Sequence, residues 1–451
     1  MAGSPLRTVR FDFIFKIKKF HQYSVTMQNR RDFIKKTPAL LSLLMSIPAI
    51  SSASKAKKTM ILRSSWQTVN IGDIAHTPGV LTLLEQNFPD VEILLWPNDV
   101  GDGVEEMIMR RFPKLIILKT DEQKKAAIKD ADFFLHGSGP SLTGRKEVEL
   151  WKNSTTKPYG IYGITYPGVY GFPEDRGKFN PADIELLTKA QFAYFRDSVS
   201  LAFAREKGVK CPIMGFCPDG AFSVDVKDDK SAIQFLKEHN LEDGKFMCVI
   251  PQFRFSPWWE IPAKKLTINE KKNEYNMKMK EHDNAPIREA IIAVVRQTEL
   301  KILIVPENET QVHIGKEMLY DPLPDDVKKK VVWRDHYWLT DEAVSTYARS
   351  AGLFGLEMHS PIMCIALGIP AIVCRFEEQT SKAAMWKDVG LNEWLFDMDT
   401  PKDVAGIVPA VLEMAKNPKA AKAKAAKALK VVRKIQAETM AVLKEKLYAK
   451  S

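Results

Sequence analysis

The chain has 451 residues and a formal net charge of +10, but that charge is unevenly placed. Residues 1–58 carry a net +10 and residues 416–451 a net +9, which leaves 59–415 at −9. A basic nucleic-acid-binding body is excluded, because its positive charge belongs on the folded part. With 45% hydrophobic and 27% charged residues, so is a disordered or fibrous chain. The length suits two domains plus extras, each burying its own core. The five cysteines are odd in number and scattered, giving neither a disulfide framework nor a zinc-type pair. The longest apolar run falls short of the ~20 residues that a membrane span needs, so no stable span is expected.

Residues 29–36 read Asn-Arg-Arg-Asp-Phe-Ile-Lys-Lys, followed by an apolar stretch, Pro38–Ile50, and the small residues Ser51–Ser54. A charged region, a short apolar region and small residues at a cleavage site define an export signal. Arg30-Arg31 with Asp32-Phe33-Ile34-Lys35 resembles the twin-arginine signal, whose translocase carries folded proteins across a bacterial inner membrane. The expected location is therefore periplasmic or extracellular, with cleavage after Ala53. Residues 1–26 do not fit the signal, so Met27 is read as the start and the upstream segment as an extension. Residues 1–58 thus form the signal and its extension.

From Thr59 onward, short β-rich runs alternate with helical segments. The pattern predicts strands at Met60–Ser64, Val91–Trp96, Leu115–Leu118, Phe133–His136 and Tyr159–Thr165. Helices are predicted at about 76–87, 104–111, 122–129, 184–192 and 201–207. After a charged segment, 224–245, a second series places strands at Phe246–Pro251, Lys301–Val305, Val331–Arg334, Gly352–Leu356 and Ala371–Cys374. Its helices fall at 286–299, 309–319, 341–350, 360–367 and 380–388. The stretch 259–285, rich in Lys, Glu and Asn, reads as an exposed loop or arm. Apolar strands without alternation argue for parallel sheets covered on both faces. The fold class is α/β: two Rossmann-like domains, 59–225 and 246–400, facing a cleft, with C-terminal basic helices over 401–451. The Lys-rich tail suits either a surface helix touching an anionic polymer or an amphipathic helix packed on the domain pair.

Chemistry concentrates at strand ends. Asn70, Gly72 and Asp73 follow the first strand and open a helix, where free N–H groups suit an anion. Asp73 fits either a ligand contact or the helix cap. Gly137, Ser138 and Gly139 end another strand and suit an oxyanion, a sugar hydroxyl or a plain tight turn. Arg196-Asp197-Ser198 and Pro218-Asp219 close the first series. In the second, Glu357, His359 and Ser360 stand at a strand-to-helix junction, and His359 there suits acid/base work or an anion contact. The eight histidines include no HxH or HExxH spacing, so no metal site and no cofactor is expected. A Mg²⁺ ion on one or two carboxylates would leave little trace in sequence.

The series Asn70-x-Gly72-Asp73, Asp132–Gly139, Arg196-Asp197-Ser198, Pro218-Asp219 and Met358-His359 with Gly368-Ile369-Pro370 resembles the polysaccharide pyruvyltransferase family over about 60–400. The resemblance implies a two-Rossmann-domain fold of the glycosyltransferase B type. It also implies transfer of a pyruvyl ketal from phosphoenolpyruvate to two hydroxyls of a sugar. His359 would match the His of the family's Arg-Leu-His motif at the donor site. Asp73 and the 137–139 turn would line the cleft. The family's Arg is Glu357 here, which reverses a charge where an anion should bind. Arg375 or Lys382 would then have to supply the compensating charge.

The expected catalytic residues are thus His359, Asp73 and Glu357. Asn70, Gly72, Gly137, Ser138, Gly139, Arg196, Ser360, Arg375 and Lys382 are expected to bind substrate. The expected partners are a polysaccharide or sugar acceptor, phosphoenolpyruvate as donor, and the translocase during export; nucleic acid is not among them. Phosphoenolpyruvate is cytosolic, so export would part the enzyme from this donor. Two further functions therefore stand beside the first: an exported carbohydrate-active enzyme with different chemistry, and a non-catalytic glycan-binding protein.

Overall fold

The computed structural model of the chain describes residues 57–449 apart from Ser65 and Arg176. The export signal, its cleavage site and the Met27 start fall on residues outside the described ones. Two parallel sheets organise the rest. The first contains β1 (Thr59–Arg63), β2 (Glu92–Trp96), β3 (Ile116–Ile117), β4 (Phe133–His136), β5 (Tyr159–Ile164), β6 (Ala193–Phe195) and β7 (Met214–Phe216). The second contains β8 (Phe246–Ile250), β9 (Lys301–Ile304), β10 (Val331–Trp333), β11 (Gly352–Gly355), β12 (Ala371–Arg375) and β13 (Leu395–Asp397).

The strand orders are β3-β2-β1-β4-β5-β6-β7 and β10-β9-β8-β11-β12-β13. Each order reverses direction once, between β1 and β4 in the first sheet and between β8 and β11 in the second. Chain leaving the carboxyl ends of neighbouring strands diverges at such a point and opens a crevice. Central strands are buried throughout: every residue of β4 and β8 is inaccessible. This is why their sequences, Phe-Phe-Leu-His and Phe-Met-Cys-Val-Ile, are apolar without alternation.

Several local expectations change. The first helix is Ile71–Asn87, five residues longer at its start than the apolar pattern suggested. Asn70 is the reason, since its side chain accepts from the Gly72 and Asp73 N–H groups. The stretch 259–285 is not all loop, because Glu270–Gln297 is one 28-residue helix with Pro286 inside. Its polar residues are good helix formers, and Asn269 caps it through the Lys272 N–H. The buried face of that helix holds Asn276, which bonds both the N–H and the C=O of Phe255. The charged segment 224–245 includes the helix Asp229–Glu238. Near 309–319 the helix is Gln311–Ile314 and then widens to a π turn over Gly315–Tyr320. The helix Arg145–Ser154 and the short strands β6, β7 and β13 had no strong sequence signal.

The tail forms two helices, Pro401–Lys416 and Pro418–Tyr448. The second returns to the first sheet on a buried face that includes Ala421, Ala425, Ala428, Val432, Met440 and Leu443. Thr439 Oγ1 bonds the Tyr162 hydroxyl of β5 at 3.2 Å. Arg433 donates to Ser223 Oγ at 2.8 Å. This helix is therefore packed on the body, with its lysines turned outward.

Candidate functional site

The switch points of the two sheets meet where the first helix approaches the segment after β9. Asn70 and Asn308 form an antiparallel bridge, Ile71 N–H donates to the Glu307 carbonyl at 2.9 Å, and Glu309 N–H donates to the Val69 carbonyl at 3.0 Å. Asn70 itself is a cap, with Oδ1 accepting from Gly72 N at 2.9 Å and Asp73 N at 3.0 Å. Asp73 is therefore not the cap. Its half-buried carboxylate takes a bond from Gln67 Nε2 at 3.2 Å. Gly72 is required by close approach, since a Cβ there would lie 2.4 Å from His359 Cβ.

His359 begins the helix His359–Ala366, at the carboxyl end of β11. Its Nδ1 lies 3.1 Å from Glu307 Oε1, while Glu307 Oε2 accepts from Ser360 N at 2.6 Å and Ser360 Oγ at 2.8 Å. Glu307 thus caps this helix from another segment, and Ser360 is committed to that cap. Burial pushes the Glu307 carboxyl up. The bond and charge of His359, the charge of Lys382 and the Ser360 N–H outweigh it and hold the carboxyl below its usual range. Burial, aided by Lys382, holds the His359 imidazole below its usual range. His359 Nε2 is buried and has no hydrogen-bond partner among the described residues.

A second imidazole faces the first. His76, fully buried on the Ile71–Asn87 helix, stands edge-on to His359 with ring centroids 4.9 Å apart. Its Nδ1 lies 2.7 Å from Asp219 Oδ1. Asp219 Oδ2 in turn accepts from Arg196 Nη1 at 2.7 Å. Burial pushes the Asp219 carboxyl up, but the charges of His76 and Arg196 hold it well below the usual range. Arg196 Nη1 is also 3.4 Å from His76 Nε2, and Arg196 Nε donates to Thr165 Oγ1 at 2.6 Å. Each imidazole is therefore oriented by a carboxylate on Nδ1, one from each half of the molecule.

The glycine turn after β4 divides by role. Gly137 N–H bonds the Arg63 carbonyl and Gly139 N–H the Gly163 carbonyl, so both glycines stitch strands together. Ser138 alone of the three reaches the centre. Its hydroxyl donates to the Gly163 carbonyl at 3.1 Å, accepts from Gly220 N at 3.0 Å and lies 3.2 Å from His76 Nδ1.

Glu357, two residues before His359, is buried. Gln252 and Gln311 both donate to its Oε1, the latter at 3.0 Å. Burial, reinforced by the neighbouring Glu307, pushes its carboxyl up to about 8. That shift favours the protonated form at neutral pH and so weakens the expected charge reversal. Lys382 acts electrostatically on Glu307, Glu357 and His359, so its charge reaches the site. Arg375 is tied to Asp397 at 2.7 Å and to the Phe376 carbonyl at 2.9 Å. It borders a neighbouring cavity of about 450 Å³, lined also by Thr165, Pro167, Phe203, Ser381 and Lys387.

Sequence reasoning missed His76, Glu307, Gln252 and Gln311. His76 carried one usable signal, since it follows Asp73 by three residues and so shares its helix face. The others gain a role only because remote strand ends converge.

A family profile for polysaccharide pyruvyl transferase matches residues 70–377, from the Asn70 cap to just beyond Arg375. The chain belongs to this family. Lys382 lies outside the matched segment. No curated protein matches the sequence. Among solved structures, the chain is similar to a putative UDP-N-acetylglucosamine 2-epimerase from Listeria monocytogenes, with 11% identity and a TM-score of 0.53. That match covers 88% of this chain and 98% of the other. S. aureus MnaA, solved with UDP, gives 11% identity and a TM-score of 0.50 over 82% of this chain and 90% of that one. HepE from Anabaena, solved with UDP and glucose, gives 9% and 0.50 over 86% and 100%. At these identities the likeness concerns the fold, two Rossmann-like halves of the glycosyltransferase B kind. Family and fold together make the protein a transferase of the pyruvyl transferase family.

Proposed function

We propose that this transferase places a pyruvyl ketal on two hydroxyls of a sugar in an envelope or extracellular polysaccharide. The observation that carries the reading is His359, at the head of its helix within the family-matched segment and oriented by Glu307. With phosphoenolpyruvate as donor, one sugar hydroxyl attacks C2 as the C3 methylene gains a proton. Phosphate leaves with its electron pair, and a second hydroxyl closes the ketal. One hydroxyl proton ends on the new methyl group and the other on the departing phosphate. His359 is placed to take a hydroxyl proton, Glu357 or Asp73 to pass one on, and Lys382 to pair with the donor's negative charge. The test is phosphate release from phosphoenolpyruvate with a panel of pyranosides. Release that His359→Ala abolishes supports the reading, and no release across the panel overturns it.

One observation favours a second reading, an exported carbohydrate-active enzyme with different chemistry. The N-terminus of the His359–Ala366 helix, where a phosphate would find free N–H groups, already holds the Glu307 carboxylate. Export by the twin-arginine route, to the periplasm or beyond, is part of the proposal and rests on residues 29–54. It would separate the enzyme from cytosolic phosphoenolpyruvate. A reporter fused to residues 27–58 should leave the cytosol, and Arg30→Lys with Arg31→Lys should retain it.

A further inference from the structure

Among the described residues, Asp73, His76 and His359 each offer a donor atom, and these atoms all lie within 4.8 Å of one another. Two histidines and a carboxylate form a borderline N/O set of the kind that binds Zn²⁺, Mn²⁺ or Fe²⁺. We propose that these three residues hold a single divalent transition-metal ion at the junction of the two halves, a site that goes beyond the pyruvyl transferase reading.

Three features support it. His359 Nε2 is buried with no partner among the described residues, an arrangement that a ligand would explain. Both imidazoles have Nδ1 against a carboxylate, Glu307 for His359 and Asp219 for His76. Metal-binding histidines almost always carry such a partner on the other ring nitrogen, which fixes the tautomer and raises basicity. The charges also permit an ion: Arg196 acts on Asp219 and Lys382 on Glu307, and Asp73 adds a third carboxylate. Arg196 Nη1, 3.4 Å from His76 Nε2, is bound more closely to Asp219, at 2.7 Å, which draws its charge away from the imidazole.

Donors around an ion at ~2.1 Å stand about 3–3.5 Å apart. Separations of up to 4.8 Å therefore have to close by about 1–2 Å on binding. Asp73 has the freedom to do so, being half-buried and, among the described residues, held by a single bond from Gln67 Nε2 at 3.2 Å. Three protein donors leave open positions for water or substrate, as catalytic rather than structural metal sites do. A twin-arginine route suits such a site, since a folded chain can take up its ion before export.

The test uses the full chain and needs no turnover. After chelator treatment and dialysis, the protein is titrated with Zn²⁺ and, separately, with Co²⁺, following heat of binding and visible absorption. The expected result is one equivalent bound, a Co²⁺ d–d spectrum, and a higher Tm with metal. Asp73→Asn and His359→Ala should each weaken binding at least tenfold. Circular dichroism identifies which variants stay folded. Asp73→Asn, at a half-buried position, serves as the deciding variant if His359→Ala does not fold. Binding below one equivalent in the wild type, or equal affinity in Asp73→Asn, overturns the assignment.

Discussion

Gly79 is where the position of the first site helix can be challenged most directly. A Cβ on Gly79 would lie 1.9 Å from the Gly220 carbonyl oxygen, 2.5 Å from its carbon and 3.1 Å from Ala221 N. The obstacle is backbone, so no side chain can swing aside. Ordinary contact begins near 3.4 Å, which means the Ile71–Asn87 helix and the 220–223 turn must part by about 1.5 Å. Gly79→Ala gains about 1 kcal/mol of helix propensity. Overpacking typically costs about 1–3 kcal/mol, and the forced shift here belongs at the upper end. A net loss of about 1–2 kcal/mol is expected, read as a lower urea midpoint with an unchanged slope. The displaced turn also carries Asp219 and the Gly220 N–H that Ser138 accepts, so His76 loses its orientation with it. Gly101→Ala is the control. Its nearest neighbour is the Asp99 side chain at 3.3 Å on the surface, and it should stay within about 0.5 kcal/mol of wild type. A Gly79→Ala protein as stable as wild type would refute the backbone-to-backbone packing.

Gly72→Ala would drive a methyl into His359, with Cβ, Cγ and Nδ1 at 2.4, 2.6 and 2.6 Å, so His359 should leave Glu307. Its effect on turnover and on metal affinity should exceed that on Tm, and the reverse ranking would count against a role for His359. Arg254→Ala strands Asp283 and Glu378, which are buried and bond this guanidinium. A loss of about 3–5 kcal/mol is expected, measured by chemical unfolding. His136 concerns acid stability. Burial, aided by the charge of Arg63, lowers its imidazole to about 3 from an ordinary 6.5. The unfolded chain then binds a proton that the native state refuses between these values, so stability present above pH 6.5 is lost as pH falls towards 3. The loss should reach a few kcal/mol, on the order of 1.4 per pH unit. His136→Gln, which can still accept from Gly144 N, should flatten the profile between pH 6 and 4. An unchanged slope would refute the assignment.

Local chemistry in the chain was enough to reveal the alternating α/β pattern, the strand-end motifs and the family to which they belong. Apolar runs such as Phe246–Ile250, alternating with helical segments, fit central strands in a covered parallel sheet. The Asn70–Asp73 and Glu357–Ser360 segments announced themselves because site chemistry gathers at strand ends. The polar start of the Glu270–Gln297 helix misled, since composition alone does not separate an exposed loop from a helical stretch whose buried residues are Asn276, Asp283 and Asn284. Tertiary structure decided the rest. His76 and His359 stand 283 positions apart in the chain, and Glu307 lies between them without any motif of its own. They meet because two sheets each reverse strand order at the same junction, a non-local event that no sequence window contains. The same convergence changed what single residues do. Asn70 and Ser360, expected to hold substrate, take part in the two helix caps. Glu357 was expected to repel an anion, and burial beside Glu307 shifts it towards the protonated form. Spacing lists which side chains are present, whereas burial and proximity set their charge and their partners.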